Sequence, residues 1–304
     1  TIILIPGFLA LFYALVAYLF AVLKPNKSLS SFFLFSLIFG TIEFLRGSIL
    51  TGFPWNLIAY SFSNHLEILN ITSIIGTYGF NLFCISLFTS PSIFILRDDK
   101  KEIFICILFL LITLSFYVFG SQRLEKFNSI KANKHDYKIR VISSKISIDR
   151  FYNDVEPVSI IEDLIKISSP QKEERTIFIW PEGILPEISK DQLQEYNWLF
   201  ENKFSENHIL AIGINDITEK DQVKKYFNSF SIYDHRLEII NSYNKVNLVP
   251  FGEFLPFENF LNNFGLKKIT EGHGSFLKGK TNKNLIVNNF NILPLICYEI
   301  IFTD

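Results

Sequence analysis

The chain has 304 residues, enough for two domains. Hydrophobic residues make up 49% and charged residues only 19%, against about 25% charged in ordinary soluble domains. The formal net charge of −1 offers no basis for nucleic-acid binding. Three dispersed cysteines argue against a disulfide framework, and the five histidines show no metal-ligand spacing. We therefore predict neither a metal nor another cofactor.

The charged residues are distributed unevenly along the chain. Residues 1–120 carry few charges and are rich in Phe, Leu and Ile, whereas residues 121–304 have the Lys, Glu, Asp and Asn content of a soluble domain. We predict a membrane domain over residues 1–120, a linker over 121–136 and a soluble domain over 137–304. The first residue already lies inside an apolar run and there is no methionine, so we interpret the chain as a fragment cut at both ends.

Four apolar stretches are long enough to cross a bilayer, which takes about 20 residues. They cover residues 2–23, 29–45, 71–96 and 103–120. A signal peptide would account for one such stretch but not for four, so the pattern predicts an α-helical membrane bundle. The second stretch ends in Glu43 and Arg46, which we interpret as an ion pair at the headgroup level rather than a site at the midplane.

The loops between these stretches predict an orientation. The first loop contains Lys24 and Lys27 and the third contains Arg97, Lys100 and Lys101, whereas the second contains only Arg46. Because Lys and Arg are in excess on the cytoplasmic side, the first and third loops should face the cytoplasm. The soluble half then emerges on the far side of the membrane.

The second loop, RGSILTGFPWNLIAYSF, contains helix-breaking Gly52 and Pro54 followed by Trp55. A tryptophan at this level is typical of simple interfacial anchoring. An apolar, aromatic loop on the same side as the soluble half could also help to form an entry for lipid. Composition does not decide between these two interpretations.

The soluble half shows alternating strand and helix patterns. We predict strands at 137–143, 175–180, 208–214, 226–233, 237–242 and 292–297, and helices at 158–167 and 189–205. Several of the strands are continuous apolar runs, which is typical of buried strands. The alternation therefore predicts an α/β layered domain.

Three reactive side chains follow apolar runs of this half. Glu182 follows IFIWP, Lys245 lies in SYNKVNLVPFGEF and Cys297 ends ILPLI. Side chains at the carboxyl ends of strands converge on one crevice in α/β domains, and a carboxylate, an ammonium and a thiol there suit nucleophilic acyl chemistry. Each also has an ordinary alternative: an inert core cysteine, a surface turn glutamate and a solvated loop lysine. The sequence pattern alone does not decide between a catalytic trio and these three structural roles.

Four blocks of sequence resemble signatures of the apolipoprotein N-acyltransferase family, membrane enzymes of the nitrilase superfamily. The blocks are FLRGSILTGFPWN (44–56), IWPEG (179–183), YNKVNLVPFGEFLPF (243–257) and ICYE (296–299). The WPE, lysine and CYE elements alone would indicate only the nitrilase superfamily. Together with the LVPFGE block and membrane spans, they are specific to this family.

The resemblance implies a nitrilase-like α-β-β-α sandwich carried on membrane helices, on the periplasmic side of the bacterial inner membrane. The implied activity is N-acyl transfer, the last step of lipoprotein maturation. A cysteine would take an acyl chain from a phospholipid, typically phosphatidylethanolamine, as a thioester. The N-terminal amine of a diacylglyceryl-cysteine apolipoprotein would then accept that chain.

The resemblance also implies roles for individual residues. Cys297 would be the nucleophile, Glu182 the general base and Lys245 the cation near the oxyanion. Glu253 matches a second family glutamate that organises the site. The supporting residues beside the nucleophile are Tyr298 and Glu299, and the expected substrate-binding residues are Trp55, Phe151 and Tyr152.

This sequence departs from the family pattern at two places. Ser143 and Ser144 stand where a Gln-containing turn is usual, and Phe151 and Tyr152 stand where a tryptophan is common, so an aromatic group is kept without the indole N–H. Family members also continue past the cysteine, and we expect the chain as given to be inactive or unstable unless it is extended.

Three other classes of function compete with this interpretation. A membrane-tethered nitrilase-type amidase would use the same three residues but pass the acyl group to water. A catalytically inactive membrane scaffold is the second, although the intact trio argues against it. A transporter is least favoured, because the apolar stretches carry no clear charge at the midplane.

Overall fold

The structure is a computed structural model. It describes residues 4–49, 52, 54–130, 136–144, 156–220, 223–258, 275–280 and 284–302. These residues divide into two compact units, one before and one after residue 132. We call residues 4–130 the helical unit and residues 136–302 the sheet unit.

The helical unit contains four long apolar helices, as the sequence predicted. Its helices are α1 (Leu4–Leu23), α2 (Ser28–Ser48), α3 (Leu66–Leu69), α4 (Thr72–Thr89), α5 (Ile93–Leu96) and α6 (Phe104–Ser129). The stretches Pro6–Leu23, Ser28–Ser48, Thr72–Leu96 and Lys100–Ser129 are long and apolar enough to cross a membrane. Helix α6 continues beyond residue 120, so residues 121–129 are helical and not part of a linker.

The helical unit contains a cluster of paired polar side chains around Glu43. Glu43 and Arg46 form an ion pair of 2.9 Å in which both side chains are 2% exposed. Tyr13 and Asn81 also donate hydrogen bonds to the Glu43 carboxylate, at 3.1 and 3.5 Å. The predicted ion pair is therefore present, and it is buried among the helices, where a charge needs such partners.

The sheet unit is built on a five-stranded mixed sheet in the order β1-β2-β3-β4-β5. Its strands are β1 (Lys138–Val141), β2 (Thr176–Trp180), β3 (His208–Lys220), β4 (Val223–Tyr233) and β5 (Ile239–Asn244), and β6 (Leu285–Val287) and β7 (Phe290–Ile292) form a separate hairpin. β1 pairs with β2 and β2 with β3 in parallel, whereas β3 pairs with β4 and β4 with β5 in antiparallel fashion. β5 consequently runs in the same direction as β2.

Each face of the sheet buries its own apolar cluster, because side chains alternate along a strand. One face packs against helix α7 (Pro157–Ser168), which begins with a proline in its first turn and ends at Ser169 in the left-handed region. The other face packs against the β6–β7 hairpin through Leu285 and Val287. The helix predicted at 158–167 and the strands predicted at 137–143, 175–180, 226–233 and 237–242 are confirmed within a few residues. The strand predicted at 208–214 is also present, and it continues to Lys220.

Two predicted elements are wrong in part. Residues 189–205 were expected to form one helix, but the structure has a 3-10 turn over Gln192–Tyr196 and one helical turn, α8, over Asn197–Phe200. The start of this segment instead extends the sheet, since Ser189 forms a bridge with Asn215.

Residues 292–297 were expected to form a last buried strand. The strand β7 ends at Ile292, and Leu293 and Leu295 are exposed. Pro294 has no N–H to donate to a strand ladder, and the chain continues into a 3-10 turn, Cys297–Ile301. Cys297 therefore begins a turn and does not end a strand.

Candidate active site

Glu182 lies over the neighbouring strand and not at the tip of its own. β2 ends at Trp180, and the following chain passes over Gly213 of β3. A Cβ atom on Gly213 would lie 2.5 Å from Cα and 2.9 Å from the backbone nitrogen of Glu182, closer than real contacts allow. Only a glycine leaves room for this crossing, which carries the Glu182 carboxylate toward β4 and β5.

Lys245 directly follows the last residue of β5. Its backbone nitrogen donates to the carbonyl of Asn228 on β4 at 2.8 Å, and its carbonyl accepts from Gly279 at 2.8 Å. A Cβ on Gly279 would lie 2.0 Å from the Asn244 carbonyl oxygen, so this crossing also requires a glycine. The Lys245 side chain is 1% exposed, which is unusual for a lysine unless it is paired.

The Lys245 ammonium is paired with two carboxylates. Its Nζ lies 2.9 Å from Oε1 of Glu253 and 3.8 Å from Oε1 of Glu182. Oε2 of Glu253 accepts from the backbone N–H of Val249 at 2.8 Å. Glu253 is 14% exposed and Glu182 is 36% exposed. Glu253 is therefore the inner, fixed partner of the lysine, and Glu182 faces outward.

Asn228 joins the same two carboxylates. Its side-chain nitrogen Nδ2 donates to Oε1 of Glu182 at 2.6 Å and to Oε1 of Glu253 at 2.7 Å. We did not single out this residue from the sequence. The signal was its position: Phe230 and Ile232 face the same side of β4 as residue 228, so an asparagine there interrupts an otherwise apolar inward row.

Cys297 is exposed and adopts a left-handed backbone conformation, with φ of +50°. Non-glycine residues in this region are uncommon and occur often at functional sites. In the part of the chain that the structure describes, no hydrogen bond joins its Sγ to Glu182 or Lys245. The connection between them runs through Glu299.

The Glu299 carboxylate ties the Cys297 turn to the Lys245 segment. Oε1 accepts from the backbone N–H groups of Val246 at 2.7 Å and Asn247 at 3.0 Å, and from the Tyr243 hydroxyl at 2.7 Å. Oε2 accepts from the backbone N–H of Ile296 at 3.0 Å. Burial and then the Glu299 carboxylate raise the pKa of Tyr243, so its hydroxyl stays a donor at neutral pH.

The remaining predicted residues lie in several environments. Tyr298 is buried and its ring packs edge-on against Phe302 at 5.0 Å. Trp55 lies in a turn of the helical unit, and its side chain is 52% exposed. Its carbonyl accepts a hydrogen bond from Arg46 at 2.9 Å. Phe151 and Tyr152 lie outside the described residues.

The grouped side chains define a class of site. Two carboxylates, an amide and a buried ammonium are in contact with one another, and the turn that carries the Cys297 thiol is tied to the same segment by Glu299. A thiol, a carboxylate and an ammonium are the components of cysteine-based acyl chemistry. A surface cavity of about 490 Å³ elsewhere on the sheet unit is lined by Lys166, Lys172 and Lys203 among others, and its lining contains no cysteine. Among the described residues, no group of three or more His, Cys, Asp or Glu side chains could hold a metal ion.

Comparison with known proteins identifies the family that the chain resembles. Residues 1–89 match the model of the apolipoprotein N-acyltransferase N-terminal domain. The chain is 30% identical over 306 residues to apolipoprotein N-acyltransferases of Brucella melitensis biotype 1 and Brucella suis biovar 1. It is 29% identical over 312 residues to that of Rhodopseudomonas palustris. Each alignment covers 99% of this chain, so the resemblance seen in the sequence motifs is confirmed.

The chain spans about 57–58% of the length of these relatives. Among solved structures, a crystal structure of an N-terminal amidase matches 36% of this chain and 28% of its own, at 19% identity. The TM-score of 0.23 is too low to establish a common fold.

Proposed function

We propose that the protein is an N-acyltransferase that moves an acyl chain from a phospholipid, through a thioester on Cys297, to the N-terminal amine of diacylglyceryl-cysteine apolipoproteins. The observation that supports this most directly is the ion-paired group of Glu182, Lys245 and Glu253. It occurs in a chain that is similar over 99% of its length to enzymes of that name.

In the first half-reaction, the Cys297 thiol gives its proton to Glu182 and the thiolate attacks the ester carbonyl of the phospholipid. The ammonium of Lys245 stabilises the negative charge that develops on the carbonyl oxygen. An ammonium has three N–H donors, and Glu253 accepts one of them. When the intermediate collapses, the glycerol oxygen leaves with the proton from Glu182, and the products are an acyl-Cys297 thioester and a lysophospholipid.

In the second half-reaction, the amine of the lipoprotein cysteine attacks the thioester carbonyl. Glu182 takes a proton from the amine, and the thiolate of Cys297 leaves and is protonated again. The new bond is an amide, and the enzyme returns to its starting state. Because a thioester keeps the acyl group reactive, the transfer needs no cofactor.

Phosphatidylethanolamine is the donor that we propose, and the bacterial inner membrane is the proposed location. The four long apolar helices support membrane residence. We place the sheet unit on the periplasmic side, with the first and third loops in the cytoplasm, from the distribution of Lys and Arg. We also propose that the sheet unit belongs to a nitrilase-like sandwich, which the α7 layer and the second apolar face support.

The test is a mass measurement on the detergent-solubilised full-length protein with phosphatidylethanolamine. We expect an added acyl mass that is absent from the Cys297→Ala variant. A diacylglyceryl-cysteine peptide should discharge the adduct and gain the acyl group on its amine.

Two other outcomes would contradict the proposal. An adduct that only water discharges would identify a membrane-tethered amidase-type hydrolase. The absence of any adduct on folded protein would remove the thioester mechanism and favour a catalytically inactive scaffold.

A further inference from the structure

We propose that Asn228 is a positioning residue of this site, which holds the Glu182 carboxylate in the orientation needed to accept the thiol proton. This inference rests on the proposed thiol chemistry of Cys297. It does not depend on which acyl acceptor the protein uses.

The Asn228 side chain donates hydrogen bonds to both carboxylates of the site. An amide nitrogen carries two N–H donors, and each is directed at a different carboxylate, Glu182 at 2.6 Å and Glu253 at 2.7 Å. The backbone carbonyl of Asn228 also accepts from Lys245 at 2.8 Å. Asn228 is 8% exposed, so water does not readily replace these bonds. One residue thus contacts all three charged members of the group.

The two carboxylates do not share the lysine equally. Lys245 lies 2.9 Å from Glu253 and 3.8 Å from Glu182. Glu182 therefore has the weaker ionic interaction with the lysine, and its side chain is the more exposed of the two. Without Asn228, repulsion between the carboxylates would favour rotation of Glu182 toward solvent. The amide holds it in place with a short hydrogen bond to a charged acceptor, the stronger kind of hydrogen bond.

The chemistry of an amide suits this position. Asn228 donates hydrogen bonds to the carboxylates, but its amide does not give up a proton near neutral pH, so it does not compete with the thiol. In the described part of the chain, both contacts of Glu182 use Oε1. Oε2 is therefore the oxygen that we assign to the thiol proton.

The test uses three substitutions on β4: Asn228→Asp, Asn228→Leu and Asn228→Ser. The first keeps the shape and replaces two donors with a third negative charge, and the second removes the donors without adding a charge. The third keeps one donor, which serves one carboxylate. Asn291→Asp on the exposed strand β7 makes the same chemical change away from the site and is the matched control.

The first measurement is the pH dependence of Cys297 alkylation by iodoacetamide, followed on the Cys297 peptide and expressed per folded molecule. We expect the Asp and Leu variants to react about 100-fold more slowly near neutral pH, the range of a lost general base. In these two variants, the rate of Cys297 alkylation should begin to rise at a higher pH than in the wild type. The Ser variant should lose about tenfold, as for one hydrogen bond to a charged group, and Asn291→Asp should match the wild type.

The second measurement is acylation by phosphatidylethanolamine, where the maximal rate should fall while KM stays close to the wild-type value, because Asn228 does not touch the lipid. Wild-type alkylation rates and pH profiles in folded Asp and Leu variants would overturn the inference. Unfolding of all three variants would also overturn the inference, because Asn228 would then be needed for folding and not for positioning Glu182. Failure of the wild type to form an acyl adduct would refute the proposed function, while the alkylation profile would still test Asn228.

Discussion

The charge on Lys245 is more deeply buried than the charges that balance it. Its side chain is 1% exposed, against 14% for Glu253 and 36% for Glu182. Removing one member of a buried ion pair leaves the other without compensation, which is commonly more costly than the pair itself is stabilising. The site therefore depends on this lysine for its stability as well as for its proposed chemistry.

We expect Lys245→Met to lower the free energy of unfolding of the sheet unit by about 3–5 kcal/mol, because it leaves Glu253 and Glu182 facing each other without a cation. Glu253→Gln in the same chain should restore part of that loss, since it removes one of the two charges. Chemical denaturation of the wild type, both single variants and the double variant measures the coupling. Strictly additive effects would mean that the two residues do not interact energetically.

At the scale of elements, the site depends on connections between segments that are far apart in the chain. The segment after β2 crosses over β3 at Gly213, and the segment before Lys280 closes over β5 at Gly279. The 3-10 turn at Cys297 is held to the end of β5 by Glu299. None of these links is a regular strand pair. The first two require a glycine, which has no side chain, and the third requires the Glu299 carboxylate.

The start of β3 contains a buried histidine that should make the stability of the sheet unit depend on pH. His208 is 1% exposed and packs edge-on against Phe178 and Phe204. Its Nδ1 accepts from the backbone of Ser205 and its Nε2 is 3.0 Å from the Gln171 carbonyl, which fits a neutral ring. Burial lowers the pKa of His208 below its usual 6.5.

A lowered pKa means that the unfolded chain binds a proton more readily than the folded one below about pH 6.5. We expect the free energy of unfolding to fall as pH drops through this range, by at most about 1.4 kcal/mol per pH unit. His208→Gln should show a flatter dependence between pH 7 and 5, whereas His235→Gln should behave like the wild type. Denaturation curves at several pH values measure these slopes. Equal slopes in the wild type and His208→Gln would contradict the assignment.

At the scale of the whole molecule, the helical unit places its first and third loops at the same end. The backbone N–H of Ser28 donates to the Asp98 carboxylate at 2.8 Å, so the loop after α1 and the loop after α5 are neighbours. The sequence assigned both loops to the cytoplasm from their Lys and Arg content. The contact agrees with a shared side for the two loops.

Cysteine labelling in intact cells tests the orientation. In a background with Cys297→Ala, we expect Lys27→Cys and Lys100→Cys to resist a membrane-impermeant maleimide until the membrane is opened. Asn64→Cys, in the second loop, should react from outside the inner membrane once the reagent has reached the periplasm. The buried Cys84 and Cys106 provide the background signal. If Lys27→Cys were labelled before Asn64→Cys, the predicted orientation would be wrong.

Most of the secondary structure was predictable because it depends on local pattern. Long apolar runs identified the four helices of the helical unit, and the apolar period of 3.6 identified α7. The failures have local physical causes as well. Pro294 ended the strand expected at 292–297, and pairing of Ser189 with Asn215 replaced the start of the helix expected at 189–205.

The sequence by itself determined the four long apolar helices, most strands, and the family that the chain resembles, because apolar periodicity and short motifs are properties of neighbouring residues. It also pointed to Glu182, Lys245 and Glu253, which the structure brings together, although their roles stay proposals. Only the tertiary structure revealed Asn228 between the carboxylates and Glu299 between two segments. Asn228 contacts Glu182, which is 46 residues away in the chain, and Glu299 contacts Tyr243, which is 56 residues away. Such contacts depend on how the strands cross and pack.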